Sequence, residues 1–469
     1  MSFEWKKEKL GDLLELIIDH RGKTPKKMGF EDFHSNGYPV LSAKHVKTEG
    51  LTNLESMRFA NDSLYKKWMK DEVQEGDVIL TSEAPLGELY YISGDDKYLL
   101  GQRVFGLRPK KLLINPLYLF SWLASKKGQE ELHKKATGST VQGIKQSELL
   151  KVEVDLPPYS IQQYIAGVHF SLKEKIKNNK EINQTLEQMA QALFKSWFVD
   201  FEPVKAKMAV LEAGGSQEDA TLAAMTAISG KDADALAVFE RERPEQYAEL
   251  KTTAKLFPSA MQESEMGAIP EGWALGTLSD IAIFANGKVD VSSLTPATYV
   301  STENMLENRA GISSASSLPS VNSVPNFRRG HVLISNIRPY FKKIWLARFE
   351  GGRSADVLAF EARDSVTVEY IYNLLYQESF FDFMMLTSKG VKMPRGDKKA
   401  IMGWQCICPE KKISHAFSTA VSKYYSFIES NNAQNKTLTQ LRDTLLPKLL
   451  SGEITLPEAG QAVSEAENV

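Results

Sequence analysis

Cysteine is nearly absent from this chain. Its 469 residues include two, Cys406 and Cys408, in a lone Cys-x-Cys. That is too few for a disulfide framework and lacks the two-pair spacing of a zinc site, so both read as ordinary strand residues in a reducing compartment. Apolar runs of roughly 18 residues or more are missing as well, which excludes a membrane-spanning helix. The opening MSFEWKKEKLGDLLELI has neither the apolar core nor the cleavage pattern of a secretory signal, and the expectation is a soluble cytoplasmic protein. The seven histidines are scattered, with no His-Glu-x-x-His, and there is no Gly-x-x-x-x-Gly-Lys-Ser/Thr loop. A zincin centre and a P-loop nucleotide motor are therefore excluded.

A charge excess of one sign is lacking too, since 57 Lys+Arg against 59 Asp+Glu leave a net charge of -2. The balance is uneven along the chain. Residues 205–265 carry 7 basic against 11 acidic groups, residues 1–157 carry 24 against 23, and residues 266–409 carry 15 against 13. Any affinity for nucleic acid must then come from local basic loops or from partner subunits.

What the chain does have is a repeat. The stretch from Pro158, PYSIQQYIAGVHFSLKEKIKNNKEINQTLEQMAQALFKSWF, matches the stretch from Glu410, EKKISHAFSTAVSKYYSFIESNNAQNKTLTQLRDTLLPKLL. A shift of 252 positions aligns them without a gap, pairing Ile161 with Ile413, Asn179 with Asn431, Leu186 with Leu438 and Leu193 with Leu445. Ile161, Ile165, Val168, Leu172, Ile176, Ile182, Leu186, Met189 and Leu193 recur at helical spacing, so each copy predicts a long amphipathic helix. Pairing is expected through Ile165, Leu172, Asn179, Leu186 and Leu193 on one helix and Phe417, Tyr424, Asn431, Leu438 and Leu445 on the other. Asn179 and Asn431 either fix register within the seam or lie solvated beside it.

The repeat extends outward more faintly. Glu8–Pro25 matches Trp273–Asp290, Gly76–Ile92 matches Gly330–Leu346 as a strand, a Pro-containing turn and a second strand, and Asn115–Leu149 matches Thr367–Ile401 as a helix and a basic Gly-containing loop. Two globular units of one fold follow. Tandem copies whose helices pair antiparallel are related by a pseudo-twofold axis, and a partner read by both must itself be bipartite. From Ile161 to Leu193 the helix spans about 50 Å, one to one and a half turns of B-DNA. Residues 205–265, rich in Ala, Gly, Ser and acidic residues, read as a partly helical linker or interaction insert.

Three segments carry a resemblance: ALFKSWFVDFEPV (Ala192–Val204), GAIPEGWALGTLSDI (Gly267–Ile281) and LLPKLLSGEI (Leu445–Ile454). With them the chain closely resembles the specificity subunits of type I restriction-modification enzymes. The resemblance covers nearly the whole length and implies an α+β fold of mixed helix and sheet: two tandem target recognition domains separated by two long helices that form an antiparallel coiled coil. The boundaries are then residues 1–157 for the first recognition domain, 158–204 for the first helical spacer, 205–265 for the insert, 266–409 for the second domain, 410–454 for the second spacer and 455–469 for a tail. It further implies a noncatalytic subunit that binds a split, asymmetric double-stranded DNA target. Two modification (methyltransferase) and two restriction (translocase and nuclease) subunits are the implied partners. No cofactor is expected on this chain, and S-adenosylmethionine, ATP and magnesium belong to the complex.

Bland readings compete with several motifs. Asn115-Pro-Leu-Tyr118 is close to the Asn-Pro-Pro-Tyr/Phe of adenine methyltransferases, yet a capping Asn followed by Pro at the first helical position explains it. Asp77 and Glu83 need only a turn and a strand end. Phe194, Trp197, Phe198 and Phe201 fit a partner anchor or intrachain packing equally. DNA-facing candidates lie in loops: Arg21 and Lys23 in a basic turn with Lys26 and Lys27; Lys44 and His45 in SAKHV, with Asn304 in its counterpart STENM; and Asn336 and Arg338, set opposite Ser82 and Glu83. The strongest are Thr137–Lys145, with Ser139, Thr140, Gln142 and Lys145, and Thr387–Lys399, with Lys389, Lys392 and Arg395, where glycine lets backbone amides approach phosphate. The rival readings are a standalone methyltransferase and a coiled-coil scaffold without DNA recognition.

Overall fold

The structure, a computed structural model, describes residues 5–138 and 141–454. The chain divides into two compact units, Met1–Glu181 with Asn431–Val469, and Ile182–Ser430. The proposed tail, 455–469, lies outside the described residues.

In the first unit the strand Val78–Thr81 is buried along its whole length. Val78 and Leu80 enter a core with Tyr118, Phe120 and Trp122, while Ile79 enters a second core with Leu41, Trp68 and Leu100. Alternate side chains thus face two dry layers, which is why the segment reads as a continuous apolar run. It is an inner strand of an antiparallel sheet ordered Leu14–Asp19, Val104–Pro109, Val78–Thr81, Leu89–Tyr91. The second unit repeats the order with Ala282–Phe284, Val357–Ala362, Val332–Ser335 and Ile344–Leu346. There Val332 and Ile334 share one core and Leu333 joins another. Each unit adds an antiparallel pair, Lys6–Lys9 with Glu153–Leu156 and Ala274–Thr277 with Gln405–Cys408. Cys406 and Cys408 are accordingly strand residues, both free thiols.

The helix Pro116–Ala124 starts at Asn115, whose side-chain oxygen accepts from the amides of Leu117 (3.0 Å) and Tyr118 (3.1 Å). Tyr118 is fully buried and its hydroxyl donates to the carbonyl of Asp155 at 2.7 Å. The second unit repeats this bond at the same 252-residue offset: Thr367 caps Val368–Leu375, and the Tyr370 hydroxyl donates to the carbonyl of Ile407 at 2.7 Å. The Asn-Pro-Leu-Tyr segment is therefore a helix start whose tyrosine locks the last strand, with no ring left free for a base.

The long helices are Tyr159–Phe198 and Lys411–Ser451. Within the first unit, Ile165 shares a core with Leu445, Leu446 and Leu449, Leu172 and Ile176 pack on Leu438, and Asn179 donates to Gln434 (2.8 Å) and Asn435 (2.9 Å). Numbers rise along one helix as they fall along the other, so the pairing is antiparallel. Within the second unit Phe194 and Trp197 meet Phe417 at 5.7 and 5.9 Å between ring centroids. Asn179 is buried in the seam and hydrogen-bonded, the register-fixing alternative, whereas Asn431 is half-buried.

The expected stripe needs one correction. Ile182 and Met189 are about half exposed, at 49% and 46%, and Leu186, Leu193 and Tyr424 are only partly buried. The dry positions are instead Ala190, Phe194 and Trp197. Each residue advances about 100° around a helix. The six-residue step from Ile176 to Ile182 therefore turns off the seam, and Met189, seven further on, stays on that neighbouring face. Trp197, Phe198 and Phe201 join the second unit's core, where Trp273 lies 5.7 Å from Phe198 and 5.9 Å from Phe201. Intrachain packing therefore accounts for the aromatic cluster.

Residues 205–265 are mostly helical: Glu202–Glu212, Gln217–Ser229, Ala233–Glu242 and Pro244–Leu256. Ser216 and Asp219 form a capping box, Gly230 ends its helix at φ 67°, and Ala224, Met225, Leu236 and Ala254 make a small core. Among the described residues no helix is long and apolar enough to cross a membrane.

One half-buried acid, Glu187, gives the second unit a pH dependence. Burial raises the Glu187 carboxyl from 4.5 to about 7, against hydrogen bonds from Gln191 and Tyr372 and the charge of Arg348, which pull it down. Its Oε1 is sealed from water without a hydrogen-bond partner. Because the folded value lies above the unfolded one, the protonated form's contribution is complete below pH 4.5 and is lost as pH rises towards 7. Urea denaturation of wild type is expected to lose on the order of 3 kcal/mol over that window. Glu187→Gln is expected to abolish this part of the pH slope.

Candidate nucleic-acid interface

Beyond each buried inner strand the backbone runs into the same loop system. The carbonyl of Ser82 accepts from the amide of Ile144 at 2.9 Å, and that of Asn336 accepts from the amide of Gly396 at 3.1 Å. Glu83 bridges Gly143, and Ile337 bridges Arg395. Next come Ala84 and Arg338, both left-handed with φ of 53° and 51°, and each is followed by proline. The structural counterpart of Arg338 is therefore Ala84, one residue beyond the Glu83 that the sequence match pairs with it.

The basic loops are narrow hairpins closed by reciprocal backbone bonds. Thr137 and Gly143 exchange bonds of 2.8 and 3.0 Å, and Lys389 and Arg395 exchange bonds of 3.0 and 2.9 Å. Each neck is followed by a positive-φ glycine, Gly138 at 111° and Gly390 at 96°. A Cβ on Gly138 would lie 2.2 Å from the carbonyl oxygen of Val141, and one on Gly390 3.2 Å from that of Met393. Glycine is required here for both conformation and approach. Ser139 and Thr140 lie outside the described residues.

These loops hold most of the exposed candidates. Gln142, Lys145, Lys392 and Arg395 are exposed, and the Lys389 side chain is 82% exposed. Lys389 pairs with Asp397 at 2.7 Å, and its hydrogen bond, followed by those from the amides of Ala400 and Lys399, holds the Asp397 carboxyl down at about 2. Arg395 pairs with Asp356 at 2.8 Å while remaining 57% exposed. Both cations are positioned yet open to an anion. Arg338 is half-buried and Lys44 is exposed, its amine 3.2 Å from the carbonyl of Ser56.

Other candidates serve the fold. His45, only 2% exposed, accepts from the Ser42 amide at 3.2 Å, and burial lowers its imidazole. Asn304, its counterpart, accepts from the Ser301 amide at 2.6 Å and donates to the carbonyls of Tyr299 (3.0 Å) and Ser313 (2.7 Å). Both tie a turn three residues back, so neither presents a base-reading edge. Asn336 is buried and donates to the Gly396 carbonyl at 3.1 Å, fastening the loop. Arg21 pairs with Asp19 at 2.7 Å, lies 4.0 Å over the Phe105 ring and reaches the carbonyl of Ile144 at 3.3 Å, bracing the first loop from below its neck. Lys23 donates to the carbonyl of Trp68 at 2.9 Å, and burial, then Lys70, lowers its amine.

Lys70 points to a group that the loop-by-loop reading missed. Helix Asp62–Trp68 buries Leu64, Tyr65 and Trp68 and turns Lys66 and Lys67 outward, with Lys70 exposed just beyond it. Lys66 is paired with Asp62 at 2.8 Å. The signal was the helical spacing of Leu64 and Trp68, which puts these lysines on the wet face beside Lys23 and Lys26.

Removing the Asn304 side chain leaves the Ser301 amide and the carbonyls of Tyr299 and Ser313 unmatched. Asn304→Ala is expected to destabilise the second unit by about 1–3 kcal/mol, read as a lower urea midpoint, with the DNA affinity of the folded fraction unchanged.

The comparisons with known proteins agree with one another. A family model for the type I restriction modification DNA specificity domain matches residues 3–188. The HindI type I restriction enzyme specificity subunit of Haemophilus influenzae is 28% identical, the match covering 96% of this chain and all of that one. The MjaIX specificity subunit of Methanocaldococcus jannaschii is 23% identical over 97% of this chain and 94% of its own. A crystal structure of the type I restriction-modification S subunit from M. genitalium shares the fold at a TM-score of 0.50, with 15% identity over 96% of this chain and 97% of that one. With the doubled fold and paired helices described above, the chain carries a match to the type I restriction modification DNA specificity domain over residues 3–188 and is similar, over nearly its whole length, to specificity subunits of type I restriction enzymes.

Proposed function

We propose that this chain binds a bipartite, asymmetric double-stranded DNA target, one recognition domain reading each half and the paired helices setting the gap. The observation that carries the reading is the doubled hairpin. Two diverged domains present the same glycine-closed loop from the end of the same buried strand, one carrying Gln142 and Lys145 and the other Lys389, Lys392 and Arg395. Cations among these contact phosphate, and side chains on the tips discriminate base edges, each good bidentate contact contributing about 1–3 kcal/mol. Lys67 and Lys70 add phosphate contacts in the first domain.

The chain performs no chemical step in this reading and binds no cofactor. Two modification subunits hold S-adenosylmethionine and methylate adenine, two restriction subunits use ATP and magnesium, and the assembly works in the cytoplasm. The half-exposed face with Ile182 and Met189 supports a helical docking site for a modification subunit, because apolar groups at that spacing form a stripe that the intrachain seam leaves uncovered.

Mapping methylated adenines in cells that hold the complex is expected to reveal one split sequence, absent when this chain is deleted. Exchanging residues 1–157 for those of a relative is expected to change one half of it; a change in both halves, or in neither, refutes the modular reading. Ile182→Asp with Met189→Asp is expected to abolish co-purification of the modification subunit while helical circular dichroism stays as in wild type.

A further inference from the structure

The two hairpins hold an apolar side chain in water at one shared position. Val141 and Met393 each stand three residues after the positive-φ glycine, where an added Cβ would meet their carbonyl oxygens at 2.2 and 3.2 Å. They are 54% and 53% exposed. The residues between glycine and apolar side chain differ, Ser139-Thr140 in one loop and Val391-Lys392 in the other, so the copies diverge around a position that stays apolar in both. In the second loop Val391 is also fully exposed, at 102%. Neither tip folds its apolar group back into the protein, although Ile144 and Pro394, one to three residues away, are buried.

We propose that Val141 and Met393 are specificity-determining contacts, each laying its side chain on the 5-methyl group of a thymine in the major groove of its own half of the target. The inference rests on the DNA-reading function above. In the major groove the apolar group that a base edge offers is the thymine methyl, and the groove, about 12 Å wide, admits a two-stranded ribbon. Each loop is narrow enough to enter it, pinched at its neck by one pair of reciprocal backbone bonds and joined to the sheet through Ser82 or Asn336. Lys392 and Arg395 beside Met393, and Lys145 below Val141, match the phosphates that flank a groove. The loop thus sorts its ligand, with cations towards the backbone and the apolar group towards the bases.

Deoxyuridine in place of thymine removes the methyl group alone. The probes are duplexes carrying the target read from the methylation map, with each thymine of each half replaced singly, bound by the assembled methyltransferase complex. Wild type is expected to lose about fourfold in affinity at one thymine per half, the worth of one buried methyl. Val141→Ser is expected to erase that loss in one half only, and Met393→Ser in the other, whereas Met393→Leu retains it. The exposed positions leave the urea midpoint unchanged, which separates loss of contact from loss of fold. Sensitivity to deoxyuridine that is absent in wild type, or that persists in both serine variants, overturns the proposal, as does a half-site without a T·A pair. A complex that methylates no split sequence sinks the underlying function instead; a split sequence with deoxyuridine-insensitive binding sinks this contact alone.

Discussion

The strands Val78–Thr81 and Val332–Ser335 have water on neither face, so their positions are set by two cores at once. A side chain added or lost in either layer shifts the strand end, because close-packed interiors transmit volume changes instead of absorbing them. That end carries the loop system: the carbonyls of Ser82 and Asn336 hold the basic hairpins, and the left-handed residues Ala84 and Arg338 turn the chain away beside them. Rigid placement of a few side chains on a narrow loop follows from packing far more than from the one pair of bonds at its neck.

The duplication was legible because a constant offset survives divergence. It aligns the long helices and also the bonds that close each unit, Tyr118 to Asp155 and Tyr370 to Ile407. Helix starts were equally plain, since Asn115 with Pro116 states a cap chemically. Less legible were side-chain directions in loops. His45 and Asn304 are polar residues after a strand, the usual profile of a base reader, yet each folds back on a serine three residues earlier. No periodicity distinguishes an inward from an outward turn residue. The stripe of the first long helix misled for a different reason: Ile182 and Met189 satisfy helical spacing with one another but not with the seam, which uses the smaller Ala190 and the aromatic rings further on. Two apolar faces on one helix merge in a linear sequence.

Overall charge also conceals the candidate interface. A chain of net charge -2 presents exposed lysines on two hairpins and on one helix, with acidic partners such as Asp397 and Asp356 holding cations in place without hiding them. Such pairs, largely wet, contribute little stability. Their effect is orientation, which restricts the angles from which an anion would meet these side chains.

The first unit draws its core from distant parts of the chain: Leu10, Leu80 and Trp122 share it with Leu445, Leu449 and Leu450, and the Trp5 indole donates to the carbonyl of Leu450 at 2.7 Å. Among the described residues, the cores of the second unit draw on nothing later than Ile428. During synthesis the second module can therefore reach its native packing while the first, though made earlier, still waits for Leu445, Leu446, Leu449 and Leu450. The order of birth and the order of maturation are reversed, and an unfinished apolar surface stays open on the nascent chain for the time it takes the ribosome to read about 300 further codons.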